Sequence, residues 1–135
     1  MLEAKMVNVL IKSESRYPVS RTLIREIVEK ILSDKKMKGD IEVSVNIVGD
    51  RLMKTLNKKY RNLDTATDVL SFSQTEIKKD AFFVNPPDEI LRLGDIVVSY
   101  PQAIEAAVEE EKMVDQKISE LVEHGLLHLL GYHHE

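Results

Sequence analysis

His124-Gly125-Leu126-Leu127-His128-Leu129-Leu130-Gly131-Tyr132-His133-His134-Glu135 closes the chain and carries all four of its histidines. Residues four apart on an α-helix lie one above the other, so His124 and His128 can offer two imidazole nitrogens to one ion. Gly131 follows the last apolar pair, where a glycine adopts a left-handed conformation at little cost and ends a helix. The reversal would carry His134 back toward the pair as a third ligand. Three imidazoles and one open position form the donor set of a catalytic rather than a structural zinc site. Leu126, Leu127, Leu129 and Leu130 cover most of the helix circumference, which predicts a buried C-terminal half with both histidines in a poorly hydrated wall. The competing reading is one hydrogen-bonded core histidine followed by a frayed, solvated end.

The preceding segments supply the scaffold for this helix. Asp115 is its expected cap, and Pro101 marks the first turn of another helix, Gln102 to about Glu111, with Ile104, Ala107 and Val108 inward. Leu93 to Ser99 reads as a strand suited to antiparallel pairing with Val69 to Phe72. Between them residues 74–92 are polar around Lys78, Lys79 and Asp80, and Phe82-Phe83-Val84 reads as a short strand or a hydrophobic plug.

Gly49-Asp50 opens a helix with Asp50 as cap, an apolar stripe of Leu52, Met53, Leu56 and Tyr60, and Arg51, Lys54 and Lys58 on the opposite side. Arg61 falls where that helix ends, before the turn-rich loop Asn62-Leu63-Asp64-Thr65-Ala66-Thr67-Asp68. An arginine at such a corner can reach a neighbouring pocket, and its planar fork suits phosphate oxygens. Ile41, Val43, Val45 and Ile47 alternate with Glu42, Ser44 and Asn46, the pattern of an edge or one-sided strand. Further back, Leu23, Ile24, Ile27, Val28, Ile31 and Leu32 recur at helical spacing between the cap Ser20 and the stop Gly39, and residues 6–12 form a β-branched first strand. The order predicts an α+β fold: a small mixed β-sheet of about four strands packed by helices, with the metal-binding helix at the C-terminus.

Residues 1–135 suffice for one domain and are too few for two ordinary ones. No apolar run approaches the length of a bilayer span, and the start of the chain lacks the charge-then-apolar order of a signal peptide, so a cytoplasmic protein with no membrane association is expected. The chain has no cysteine, which removes disulfides and thiolate metal sites together and leaves histidine or carboxylate to hold any transition metal. A formal charge of −4 argues against binding nucleic acid by bulk electrostatics. Acids crowd at Glu105, Glu109, Glu110 and Glu111, whereas residues 51–61 hold Arg51, Lys54, Lys58, Lys59 and Arg61 with no acid among them. An acidic body with one basic face fits local contact with RNA, with Arg51, Lys54 and Lys58 as candidate contacts. For any one lysine a solvated helix face is the ordinary reading.

The pattern His-Gly-x-Leu-His-Leu-x-Gly-Tyr-x-His resembles the signature of the YbeY family, zinc-dependent single-strand endoribonucleases and rRNA maturation factors of bacteria. Leu56 to Phe72 resembles the family's second signature and Leu93-Gly94-Asp95-Ile96-Val97-Val98-Ser99 a third, so the likeness covers roughly residues 41–134. It implies one Zn2+ on His124, His128 and His134 and a catalytic part for Arg61. It also implies single-stranded rRNA as substrate, cut in the maturation of the 3′ end of 16S rRNA and in ribosome quality control, and the ribosome or its small subunit as partner. Two positions depart from the family: His133 stands where an acid is commoner, and family members usually continue past the last histidine into a further helical segment.

Two other functions compete. The spacing His-x-x-x-His-x-x-Gly-x-x-His is shared with the metzincin peptidases, which place a glutamate directly after the first histidine as general base; here that position is Gly125. A peptidase or amidase therefore lacks its base. A non-catalytic, ribosome-associated module in which zinc only orders the C-terminus accounts for the histidines equally well. Asp68 and Asp95 read as turn and strand-end hydrogen-bond acceptors, and Thr67 as a loop organiser.

Overall fold

Alternation in the segment from Ile41 to Ile47 sets the centre of the sheet. The computed structural model describes residues 4–74 and 90–132. Its elements in chain order are β1 (Ala4–Ser13), α1 (Arg21–Asp34), β2 (Gly39–Val48), α2 (Asp50–Arg61), β3 (Val69–Ser73), β4 (Leu91–Ser99), α3 (Tyr100–Glu110) and α4 (Val114–Leu129). The four-stranded sheet has the order β1-β2-β4-β3, with β1, β2 and β4 parallel and β3 antiparallel to β4. This is the mixed sheet of an α+β fold.

β2 is an interior strand, not an edge. Its alternation reports unequal cover of its two faces: Ile41, Val43, Val45 and Ile47 are each at most 2% exposed, while Glu42, Ser44 and Asn46 on the opposite face stay half-buried. On the first face these side chains join Ile24, Val28 and Leu32 of α1 and Ile118, Val122 and Leu126 of α4 in one core. On the second face α2 covers only a smaller cluster, Val48, Met53, Leu70 and Val97.

A bulge in β4 adjusts which residues reach the core. Glu42 pairs with Arg92 and Val43 with Gly94, so Leu93 is the extra residue, and both Leu93 and Ile96, three apart, face the main core. Gly94 has φ +141°, and a Cβ there would collide with the Phe72 carbonyl of β3. Only glycine permits that close approach.

Several local details differ from the sequence reading. Ser20 does cap α1, accepting from the Leu23 N–H at 3.2 Å, but the helix stops at Asp34 with Lys36 left-handed at φ 57°, and Gly39 instead starts β2. Gly49, not Asp50, is the N-cap of α2; the Asp50 carboxylate accepts from Ser99 Oγ at 2.8 Å and from Gln102 at the start of α3. Buried Ser99 itself caps α3, tying the two helix starts together. The N-cap of α4 is Met113, and Asp115 accepts from the Ser20 N–H at 3.2 Å. In α3 the buried residues are Ala103 and Ala107, whereas Ile104 and Val108 point outward, because only the small side chains allow the helix to lie close. Leu52 is likewise exposed, since α2 turns Met53 and Asn57 inward. The segment Lys78 to Val84 lies outside the described residues, as do His133 and His134.

Candidate active site where α2, β3 and α4 meet

Ile118, Leu121, Val122, Gly125 and Leu126 form the buried stripe of α4, at the spacing of one helix face. Gly125 is its point of closest approach: a Cβ there would stand 2.8 Å from Ile96 Cγ2 and 3.5 Å from Val69 Cγ2. The glycine thus lets the helix backbone settle against β3 and β4. His124 and His128 occupy the neighbouring sector and stack on consecutive turns, with ring centroids 5.0 Å apart and planes inclined by 36°. His124 is exposed and His128 half-buried, so the wall is wetter than the run of leucines predicts. The reason is directional: α4 turns its apolar stripe to the sheet and its histidines to a cleft beside edge strand β3.

Beyond Leu129 the helix ends as expected at Gly131, which is left-handed at φ 94°. Its N–H bonds the His128 carbonyl at 3.0 Å, and the Tyr132 N–H bonds the Leu127 carbonyl at 2.8 Å, the paired bonds of a Schellman turn. Lys35 Nζ lies 4.1 Å from the centroid of the Tyr132 ring, joining this turn to the end of α1.

The opposite wall is built by the end of α2. Asn62 is left-handed at φ 59°, a conformation asparagine tolerates better than most residues, and it stops the helix directly after Arg61. Asn57, 2% exposed, holds the following loop by donating from Nδ2 to the Thr65 carbonyl at 2.8 Å, and its Oδ1 has no hydrogen-bond partner among the described residues. The loop is fixed again where the Ser99 N–H bonds the Asp68 carbonyl at 2.9 Å. These anchors deliver Arg61, Thr67 and Asp68 to a cleft of ≈ 600 Å³ shared with His124 and His128.

Arg61, His124 and His128 are therefore brought together, although more than sixty residues separate the arginine from the first histidine. Among the described residues no three histidines, aspartates or glutamates cluster as a metal site, and His134 lies outside them. Arg51, Lys54 and Lys58 do not enter the cleft; they line a separate groove along α2 with Lys59, Asp64 and Thr65. Sequence reasoning missed Tyr60 as a wall residue. It assigned that ring to the apolar stripe, whereas Tyr60 is 57% exposed and leans on Phe72 with centroids 4.9 Å apart. The signal available was the aromatic beside the basic helix end.

This α+β domain thus sets a helix-borne histidine pair and an arginine around one cleft beside β3. Comparison with known proteins narrows the class. Residues 10–135 match the family described as endoribonuclease YbeY. A protein of that name from Dehalococcoides mccartyi is 39% identical over 135 residues, covering 96% of this chain and 78% of its own. Another from a Roseiflexus species is 40% identical over 117 residues, covering 87% and 72%. The solution structure of TM1509 from Thermotoga maritima superposes with a TM-score of 0.55 at 29% identity, covering 96% of this chain and 75% of that one. The chain belongs to the YbeY endoribonuclease family.

Proposed function

We propose that this protein is a zinc-dependent endoribonuclease specific for single-stranded RNA. It acts in the cytoplasm on the 3′ end of 16S rRNA and in late-stage ribosome quality control, with the ribosome or its small subunit as partner. The observation that carries the reading is the meeting of Arg61 with His124 and His128 across one cleft. Membership of the family supports the endoribonuclease part. Among the described residues no helix is long and apolar enough to cross a membrane.

Two imidazoles on consecutive turns of one helix, in a chain without cysteine, suit zinc, and the family resemblance supplies His134, outside the described residues, as the third ligand. A zinc ion held there would polarise a phosphoryl oxygen and supply an acidified water. The residues of the chain do the rest. Arg61, at the rim of the cleft, directs its fork of N–H donors at the nonbridging oxygens, where negative charge accumulates as the phosphodiester reacts. Asn57 and the left-handed Asn62 keep that arginine on station. A peptidase or amidase reading needs a carboxylate at position 125, and the backbone there is pressed against Ile96 with no room for one.

The test is cleavage of an end-labelled single-stranded RNA by zinc-loaded and metal-stripped protein, with Arg61→Ala and His128→Ala beside them. Metal-dependent cutting that disappears in both folded variants is expected. The product ends then identify the chemistry, a 2′,3′-cyclic phosphate for transesterification and a linear phosphate for hydrolysis. Cutting indifferent to both substitutions, or none from any form, would sink the nuclease and leave a ribosome-associated binding module.

A further inference from the structure

A second pocket, of ≈ 660 Å³, adjoins the histidine cleft and shares Tyr60, Ser71, Phe72 and His128 with it. Its floor is the polar part of the open sheet face, with Asn46 of β2 beside Asp95 and Val97 of β4. Hydrogen bonds within that floor run in one direction. Asn46 Nδ2 donates to Ser44 Oγ at 3.2 Å and to the Ile96 carbonyl at 3.4 Å, and Ser44 Oγ donates to Asp95 Oδ1. The donors of Asn46 and Ser44 are thus spent inside the protein, and what they leave outward is acceptor oxygen, chiefly the exposed Asp95 carboxylate, while Ser71, Ser73 and His128 line the rest of the pocket. The wall is aromatic: Tyr60, 57% exposed, tilts at 60° against Phe72.

Aromatic surface beside a carboxylate whose neighbouring amide and hydroxyl donate inward selects there for a flat ring that carries N–H donors, and a carboxylate repels phosphate, so this end of the pocket suits a base and not the backbone. We propose that it is a nucleobase subsite next to the reacting phosphodiester, in which Tyr60 and Phe72 stack on the base and Asp95 accepts from its amino group. This rests on the reading of the protein as acting on RNA. Guanine, cytosine and adenine each present an amino group. Uracil presents a single N–H flanked by two carbonyl oxygens that face the carboxylate unfavourably. The subsite therefore disfavours uracil.

Two measurements on the zinc-loaded protein test this. In the first, nucleoside 5′-monophosphates, which contain no phosphodiester to cut, are titrated while the amide resonances of residues 71–73 and Asp95 are followed by NMR. GMP, CMP and AMP are expected to bind about tenfold more tightly than UMP, the discrimination of one good base-edge contact. Asp95→Ala should erase the difference, Asp95→Asn should shift it toward UMP, and Tyr60→Ala should weaken all four. Equal affinities in the wild type, or discrimination that survives Asp95→Ala, would overturn the role of Asp95; unchanged affinities in Tyr60→Ala would overturn the stacking. In the second, cut sites are mapped on an unstructured RNA of mixed sequence, where the wild type should avoid uracil at one position beside the cut and Asp95→Ala should lose that avoidance. Absence of any cutting would count against the nuclease itself, and the mononucleotide titration would still decide the subsite.

Discussion

On one face of the sheet Ile41, Val43, Val45 and Ile47 lie beneath α1 and α4 and are essentially sealed; on the other, Glu42, Ser44, Asn46 and Asp95 form a polar row, and α2 covers only the end around Leu70 and Val97. The same four strands serve both. The closed face holds the mass of buried apolar surface that stabilises the domain, and the open face leaves polar groups able to meet a ligand. Edge strand β3 is where the two meet, since α4 reaches it from the closed side and the end of α2 from the open one. The candidate active site lies on that boundary, with chemistry-bearing side chains held by a packed element on each side.

The contrast is broken most severely by one substitution on each side of the boundary. His128→Ala or Arg61→Ala should lower RNA cleavage by about 10²-fold or more, the scale of losing a group that stabilises transition-state charge, and leave the urea midpoint nearly unmoved. Leu126→Ala, fully buried two residues after His124, should instead cost about 2–5 kcal/mol of stability in the same urea titration. If Leu126→Ala were neutral for stability, or the two site variants unfolded, the division of labour between the faces would be wrong.

Gly125→Ala tests the seam itself. The added methyl meets Ile96 Cγ2 at 2.8 Å, so either the Ile96 side chain or α4 must shift. A loss of about 1–3 kcal/mol is expected from overpacking. Because the histidines ride on the same helix, cleavage should fall together with stability, unlike in the two cases above. Smaller still is the effect of the groove beyond the cleft: Lys54→Glu with Lys58→Glu should weaken single-stranded RNA binding and flatten its salt dependence by about two phosphate contacts, with cleavage chemistry intact at saturating RNA. Unchanged binding and salt slope would remove α2 from the RNA path.

The smallest effect is expected where α3 turns into α4. The Glu110 carboxyl is held below the usual carboxylate range by hydrogen bonds from Lys117 and then Lys112, and Lys112 is raised by Glu120 and then Glu110. A depressed carboxyl contributes stability above its unfolded value, and that contribution is lost as pH falls through the folded value. The raised lysine contributes below its unfolded value and loses that contribution as pH rises through the folded one. The cluster therefore supports the fold across neutral pH and weakens below 4.5 and above 10.5. Solvent reaches all these groups, so the change in Tm should be slight and screened by salt, and Glu110→Gln should remove most of its acid limb.

Much of this architecture was legible from short-range pattern. The period-two run from Ile41, the Ser20 cap with its helical stripe and the stop at Gly131 all stand in the structure, because each depends on neighbours within a few residues. The antiparallel pairing of Val69 to Phe72 with β4 stands as well, although its partners lie more than twenty residues apart. The arginine at the end of α2 was legible as a residue poised to reach a pocket. His124 and His128 were legible as a pair from their own spacing, but joining them to Arg61 in one site was supplied only by the family signatures, and the ring of Tyr60 was not seen as a wall at all.

What the sequence determined by itself is which residues share a face, since the periods of helix and strand are fixed by backbone geometry. Which face meets which neighbour was decided by the tertiary structure alone. It put β2 inside the sheet, left Ile104 and Val108 in water while Ala103 and Ala107 went in, and sent the Asp50 carboxylate to Ser99. It also set Gly125 against Ile96, which gives the missing glutamate a steric reason, and placed Asp95 of β4 and Tyr60 of α2 around one pocket. These outcomes rest on contacts between residues tens of positions apart, where the burial of whole elements competes and no local period carries the answer.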